Sequence, residues 1–292
     1  MSSPSTPPRP PPRASSISPR GVSGTGGDAL IPGFVIAGTG TKRLLVRAVG
    51  PTLGSFGVTG TLADPQLTLK RFDSATNAYV DVTTNDNWSA VATAAATIST
   101  TSASVGAFSL VNGSADAAMV VDLGAGQYSA VASGAANGTG VALVQLYDST
   151  DRSGARLANL ATRGFVGTGG NVLISGFVVS SEGSKTLLIR AIGPTLASFG
   201  VSGALTDPQL TIFGRADGST TDTALLGNDD WTSSSGAATT ATVATQVGAF
   251  ALPAGSKDAA LVVTLPAGNY TGQASGANAT TGIALVEVYV VP

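Results

Sequence analysis

The chain contains neither cysteine nor histidine in its 292 residues. Without cysteine there are no disulfides, no thiolate nucleophile and no zinc–cysteine site. Without histidine, the Ser-His-Asp and Cys-His nucleophile systems and imidazole-bound metals are excluded as well. Charge is also scarce: charged residues make up 11% and the net charge is −2, which leaves no electrostatic footprint for nucleic acid or an anionic membrane. No apolar run reaches the roughly eighteen residues that a spanning helix needs, so no membrane span is expected. Glutamate occurs at Glu182 and Glu287 alone. A glycosidase-like pair of facing carboxylates would therefore have to draw on aspartates. Asp64, Asp86 and Asp116 recur as Asp207, Asp229 and Asp258, each at a turn or strand end where a structural role suffices, so no enzyme is expected.

Glycine, valine, threonine and alanine are abundant, with 38 glycines and 43% hydrophobic residues, a composition of strands joined by tight turns. The chain is also duplicated. Leu44 to Leu53, LLVRAVGPTL, returns as Leu187 to Leu196, LLIRAIGPTL. The expected fold is all-β: two tandem antiparallel β-sandwich, jelly-roll-like modules over residues 13–149 and 155–292, with a linker at 150–154. Residues 1–12 form a Pro-rich leader expected to be extended and disordered. It has no apolar h-region, so a secretion signal removed upstream, or a longer parent chain, is expected. In the first strand of module 1, Ser15, Ser16 and Pro19 weaken the alternation seen in the matching stretch of module 2. Such a frayed edge would suit strand exchange between chains.

Several motifs recur in both modules. Gly-Thr-Gly-Gly at 24–27 and 167–170 precedes a strand rather than a helix, which favours a hairpin turn over a phosphate cradle. Arg47 and Arg190 sit on strands beside apolar neighbours and should be paired if buried. Asp64 and Asp207, the acids that follow them, are the expected partners. The loop carrying Leu53, Phe56, Val58 and Leu62 reads as an apolar plug, with an interaction surface as its alternative. Asn85-Asp86-Asn87-Trp88 and Asn228-Asp229-Asp230-Trp231 make Asx-turns, and their oxygens are candidate calcium ligands at Asp86, Asp229 and Asp230. Trp88 and Trp231 are candidate glycan contacts, or caps on a sandwich edge. The Ala/Thr/Ser-rich stretches 90–104 and 232–245 read as either a short helix or a loose strand. Strands are expected after them at Val105–Leu110 and Val247–Leu252.

The run from DPQLTL through NDNW to LPAGNYTGQASG and TGIALVEVY resembles the tandem β-sandwich repeat modules of large bacterial secreted and surface proteins, which carry RAxGPTL, NDxW and TGxALVEVY signatures. The second half of each module is more distantly similar to bacterial pre-peptidase C-terminal domains. That similarity implies a jelly-roll-like accessory to secretion or attachment, with calcium at Asp86, Asp229 and Asp230. Asn87, where module 2 has Asp230, departs from the pattern. The expected function is a non-catalytic extracellular or cell-surface structural or adhesive protein that self-associates, as a filament or surface-layer subunit joined by β-strand exchange. The alternative is a carbohydrate-binding accessory module whose glycan would meet Trp88 and Trp231. No cofactor is expected apart from the candidate calcium.

Overall fold

The computed structural model describes residues 14–149, 154–179, 183–215, 221–233 and 235–292. The Pro-rich leader and residues 150–153 of the linker lie outside the described residues.

The chain is mostly antiparallel β-sheet. The first repeat supplies β1 (Ala14–Ser23), β2 (Ile31–Gly38), β3 (Lys42–Val49), β4 (Pro65–Asp73), β5 (Ala78–Asn85), β6 (Ala117–Leu123), β7 (Gly126–Gly134) and β8 (Gly140–Asp148). The second supplies β9 (Ala155–Val166), β10 (Leu173–Val179), β11 (Lys185–Ile192), β12 (Pro208–Gly214), β13 (Thr223–Asn228), β14 (Ala259–Leu265), β15 (Gly268–Gly276) and β16 (Gly282–Val290). Two helices, α1 (Ala92–Ser104) and α2 (Ala237–Gln246), occupy the stretches that the sequence leaves open between helix and strand. Threonine is a weak helix former. Here Thr97, Thr242 and Thr245 turn their hydroxyls back onto carbonyls four residues earlier, so the helices keep no idle hydroxyl at these positions. The strands expected at Val105–Leu110 and Val247–Leu252 are absent: a turn and irregular chain lie there, covering the sheet rather than joining it.

Pairing follows two rows of eight strands. One runs β6-β3-β8-β1-β10-β15-β12-β13, the other β14-β11-β16-β9-β2-β7-β4-β5. They touch through one bridge, Val22 to Phe165. The second row is the first with every strand replaced by its repeat-equivalent, so the molecule has an internal twofold character. β3 approaches β4, and β15 approaches β16, without sharing hydrogen bonds. The rows thus face each other across one core, in which Leu44 and Val46 join Leu187 and Ile189 in a single cluster.

This differs from two modules placed end to end. β1 lies between β8 of its own repeat and β10 of the other, while β9 lies between β16 and β2. The hairpin expected at Gly24–Gly27 is not made. β1 and β2 diverge into different rows, and the glycines serve a 3-10 turn at Gly26–Asp28 instead, with Gly26 at φ +57°. The frayed first strand is likewise corrected, because both edges of β1 are occupied. Its proline fits since the β8 ladder skips Ser18 and Pro19 between Ile17 and Arg20, where no donor is needed.

A second, smaller core lies outside the first row. Strand alternation sends Val46 and Ala48 inward and Leu45 and Val49 outward. The outward pair packs with Leu53, Trp88, Ile98 of α1 and Leu110. β3 is therefore covered on both faces, which is why all but one of its residues are buried.

Candidate functional site

Arg47 projects into this outer core and is fully buried, as is Arg190 in the second repeat. Neither meets the expected aspartate. Arg47 donates through Nε (3.1 Å) and Nη2 to Oε1 of Gln145 and through Nη1 to the carbonyl of Phe108 (2.6 Å). Arg190 donates through Nε (2.9 Å) and Nη2 to Oε2 of Glu287 and through Nη1 to the carbonyl of Phe250 (2.6 Å). The guanidinium also lies over the phenylalanine ring, at 4.4 Å for Phe108 and 4.3 Å for Phe250. The Arg47–Asp64 and Arg190–Asp207 pairs are thus corrected to cross-strand pairs of β3 with β8 and β11 with β16. The reason is layering. Each arginine points out of its row, whereas Asp64 and Asp207 lead into β4 and β12, which lie in the opposite row.

Burial pushes the Arg47 guanidinium below its ordinary value and the Tyr147 and Tyr289 phenols above theirs. The tyrosines complete the network. Gln145 Nε2 donates to Tyr147 Oη (2.7 Å), and Tyr289 Oη donates to Glu287 Oε1 (3.0 Å). With its donors engaged and no exposure, each arginine is a packing element and not an anion receptor.

The acids that do hold the repeated motif are Asp116 and Asp258, both fully buried. Asp116 Oδ1 accepts the Gly50 N–H at 2.8 Å, and its Oδ2 accepts the hydroxyls of Thr52 and, at 2.6 Å, of Ser114. Asp258 repeats this with Gly193 (2.8 Å) and Thr195. The Gly-Pro-Thr of LLVRAVGPTL and LLIRAIGPTL thereby acquires a physical reason. Glycine brings the chain against the Leu62 carbonyl, proline starts the 3-10 turn Pro51–Phe56, and threonine anchors it to the carboxylate. Sequence reasoning left these acids at strand ends. The signal that could have found them is Gly-Ser-x-Asp, shared by 113–116 and 255–258.

The apolar loop divides. Leu53 and Leu62 are buried as a plug requires, but Phe56 remains 61% exposed and rests edge-on against Phe108.

The Asn-Asp-x-Trp loops prove structural at both ends. Asn85 and Asn228 accept the first free N–H groups of β6 and β14, from Ala118 (2.9 Å) and Ala260 (2.8 Å). Trp88 is 6% exposed and Trp231 8%, and each indole N–H is spent on a carbonyl, of Val111 and Pro253. An indole buried this way has no face to offer a sugar, so the candidate glycan contacts are corrected to anchors of the outer core.

Of the candidate calcium ligands, Asp86 is exposed, while Asp229 and Asp230 converge with Asp207 to within 4.8 Å. Hard carboxylate oxygens suit calcium. However, Lys257 already holds Asp207 Oδ2, and that contact raises the lysine's own pKa. The first repeat has Asn87 and Ala115 where the second has Asp230 and Lys257. Three carboxylates with one ammonium, or two carboxylates alone, leave the same local charge. Asp64 and Asp207 each keep one buried oxygen, Oδ1, without a partner.

No protein-family model matches the chain, and no curated protein matches it. Among solved structures, PNGase F, a glycosylasparaginase from Flavobacterium meningosepticum, aligns at a TM-score of 0.20 and 10% identity over 94% of this chain and 89% of its own. A DUF4785 family protein from Legionella pneumophila aligns at 0.23 and 8% over 96% and 88%. Likenesses this weak carry no functional argument.

Proposed function

We propose that this is a non-catalytic structural or adhesive protein of the bacterial cell surface or extracellular space, which self-associates by β-strand pairing. In this reading each repeat is one jelly-roll-like sandwich module, with β6-β3-β8-β1 set against β2-β7-β4-β5, and the modules are fused through their shared rows. The resemblance to tandem repeat modules of secreted and surface proteins is part of the reading.

One observation carries it: β5 closes the second row, pairs on one side only among the described residues, and has residues 78–84 exposed, with Tyr79, Val80 and Val82 each about 45% accessible. The edge is bulged at Val82, where the β4 ladder steps from Thr83 to Asp81, and its unpaired stretches on either side invite a further strand. The occupant in this reading is a second copy, because edge-to-edge antiparallel pairing is already how the chain joins its own repeats, at β1–β10 and β2–β9. β13, the repeat-equivalent of β5, ends the other row, pairs among the described residues only with β12 and exposes Leu225. With one such edge at each end, β5-to-β5 and β13-to-β13 contacts would propagate a linear assembly. The first strand, enclosed on both sides, is not the exchanging element.

Sedimentation velocity over a concentration series tests this, with Val82→Lys and Val82→Lys/Leu225→Lys as the variants, since a lysine on an edge opposes pairing. Wild type should form dimers and larger species, Val82→Lys should stop at dimers joined through β13, and Val82→Lys/Leu225→Lys should stay monomeric, each with an unchanged melting temperature. A wild type that remains monomeric at high concentration, with no filaments by electron microscopy, would sink the proposal.

A further inference from the structure

On the outer face of the first row, where β1 meets β10, three cavities of about 530, 240 and 510 Å³ run into one another, the second sharing Ser18 with both neighbours. The end of α1, at Ser104 to Gly106, bounds this trough on one side, and the Arg215–Asp222 ion pair beside the β12–β13 hairpin bounds it on the other. Its floor spans β8, β1, β10, β15 and β12. Four interstrand steps give a length of about 19 Å.

The register sets its chemistry. Outward-facing side chains form transverse lines: Ser18, Gly176, Thr271 and Phe213 make one, and Leu143, Arg20, Ile174 and Gln273 the next. At the centre stands Gly176, as Gly33 stands in the matching strand of the first repeat; without a side chain it leaves the floor low enough for another molecule to reach the backbone. The side chains of Arg20, Asn269, Thr271 and Gln273, whose backbones are paired in the ladders, have no hydrogen-bond or ionic partner among the described residues. Two amides, a hydroxyl and a guanidinium thus face the trough with their bonding capacity unspent.

We infer that this trough is a glycan-binding groove, which accepts a neutral polysaccharide chain along the seam between the repeats. Amide and hydroxyl groups both donate and accept, as the hydroxyls of a sugar do, whereas an acidic polymer would call for more free cations than Arg20 alone. An open groove suits a segment within a chain rather than a small ligand held in a pocket. The site is built from both repeats, so it exists only because β1 pairs across to β10. It is distinct from the proposed assembly, since it lies on the face of the row whereas β5 and β13 would pair through their free edges.

The test is affinity electrophoresis of the full chain in gels containing a neutral β-glucan, xylan, chitosan or an uronate-rich pectin. It is run in the Val82→Lys/Leu225→Lys background, which blocks both proposed edges, so that self-association cannot mimic retention. Retardation by the β-glucan or xylan is expected, with affinity reduced roughly tenfold in Asn269→Ala/Gln273→Ala, the loss of about two hydrogen bonds. Gly176→Val, which raises the floor, should abolish retention, and circular dichroism of both variants should match the parent. No retardation by any polymer would overturn the inference. So would retardation by the pectin alone, or equal retardation of parent and double variant.

Discussion

The two repeats have run a natural comparison on their buried arginines, and it predicts the outcome of a ladder of substitutions at Glu287. Arg190 is wholly buried and gives two N–H groups to one oxygen of Glu287, while Arg47, in the same surroundings, gives them to the neutral Gln145. Glu287→Gln should therefore keep both bonds and lose only their charge assistance, roughly 1 kcal/mol each, or about 2 kcal/mol in all. Tyr289 adapts without penalty, because in the first repeat Tyr147 accepts from the amide of Gln145 at 2.7 Å. Glu287→Leu instead leaves two donors empty beside an unneutralised buried cation, which costs about 3–5 kcal/mol. The reciprocal change, Gln145→Glu, adds the same charge assistance in matching surroundings and should stabilise by up to about 2 kcal/mol. Urea unfolding followed by tryptophan fluorescence measures all three at constant m. Equal losses for the Gln and Leu variants would refute the reasoning, since they would mean that a neutral oxygen does not satisfy this guanidinium.

Two further predictions concern the turn and the shared core. A Cβ on Gly50 would lie 2.0 Å from the Leu62 carbonyl oxygen, and on Gly193 2.1 Å from that of Leu205; Gly50→Ala and Gly193→Ala should each destabilise by about 3 kcal/mol or more. Gly54→Ala, where the space is open and the second repeat already has Ala197, should be neutral in the same thermal melts. The other prediction uses the two tryptophans as separate reporters. In Trp88→Phe and in Trp231→Phe, the remaining indole and far-UV circular dichroism should trace one coincident transition, because Leu44, Val46, Leu187 and Ile189 belong to one core. Two transitions would show that the repeats unfold separately.

Local patterns were legible and long-range partners were not. Alternation placed β3 and its two faces correctly, since period-two burial is a property of the strand alone. The repeat showed that whatever one half does the other does too. What it could not show was that the halves interleave: β1 pairing with β10 instead of β2 is decided by where the chain turns after Ser23, and Gly24–Gly27 serves a hairpin and a crossover turn equally well in sequence. The Ala/Thr/Ser stretches were ambiguous for a related reason. Their helices gain little from propensity and form on an outer core whose existence depends on Leu45 and Val49 facing out.

The same distinction accounts for the site residues. The sequence shows that Arg47 needs a partner and offers Asp64 as the repeated acid that follows it, but a strand's outer face is satisfied by its lateral neighbours. In the second repeat that neighbour is Glu287, one of two glutamates in the chain. Trp88 and Asp116 form another such pair, far apart in sequence and joined when the Trp88 N–H meets the Asp116 carbonyl at 2.8 Å. The most repeated residues are thus committed to holding the loops on the outer face. Four residues with unspent hydrogen bonds, Arg20, Asn269, Thr271 and Gln273, lie together where the repeats meet. Three of their repeat-equivalents differ: Gln127, Ser129 and Val131 stand for Asn269, Thr271 and Gln273. Gln127 and Ser129 keep an amide and a hydroxyl, so the counterpart seam differs chiefly in Val131, which removes one amide, and in Arg163, which donates to the Gly27 carbonyl at 3.2 Å. If recognition rests on the free groups, the β1–β10 seam is the better equipped of two similar surfaces.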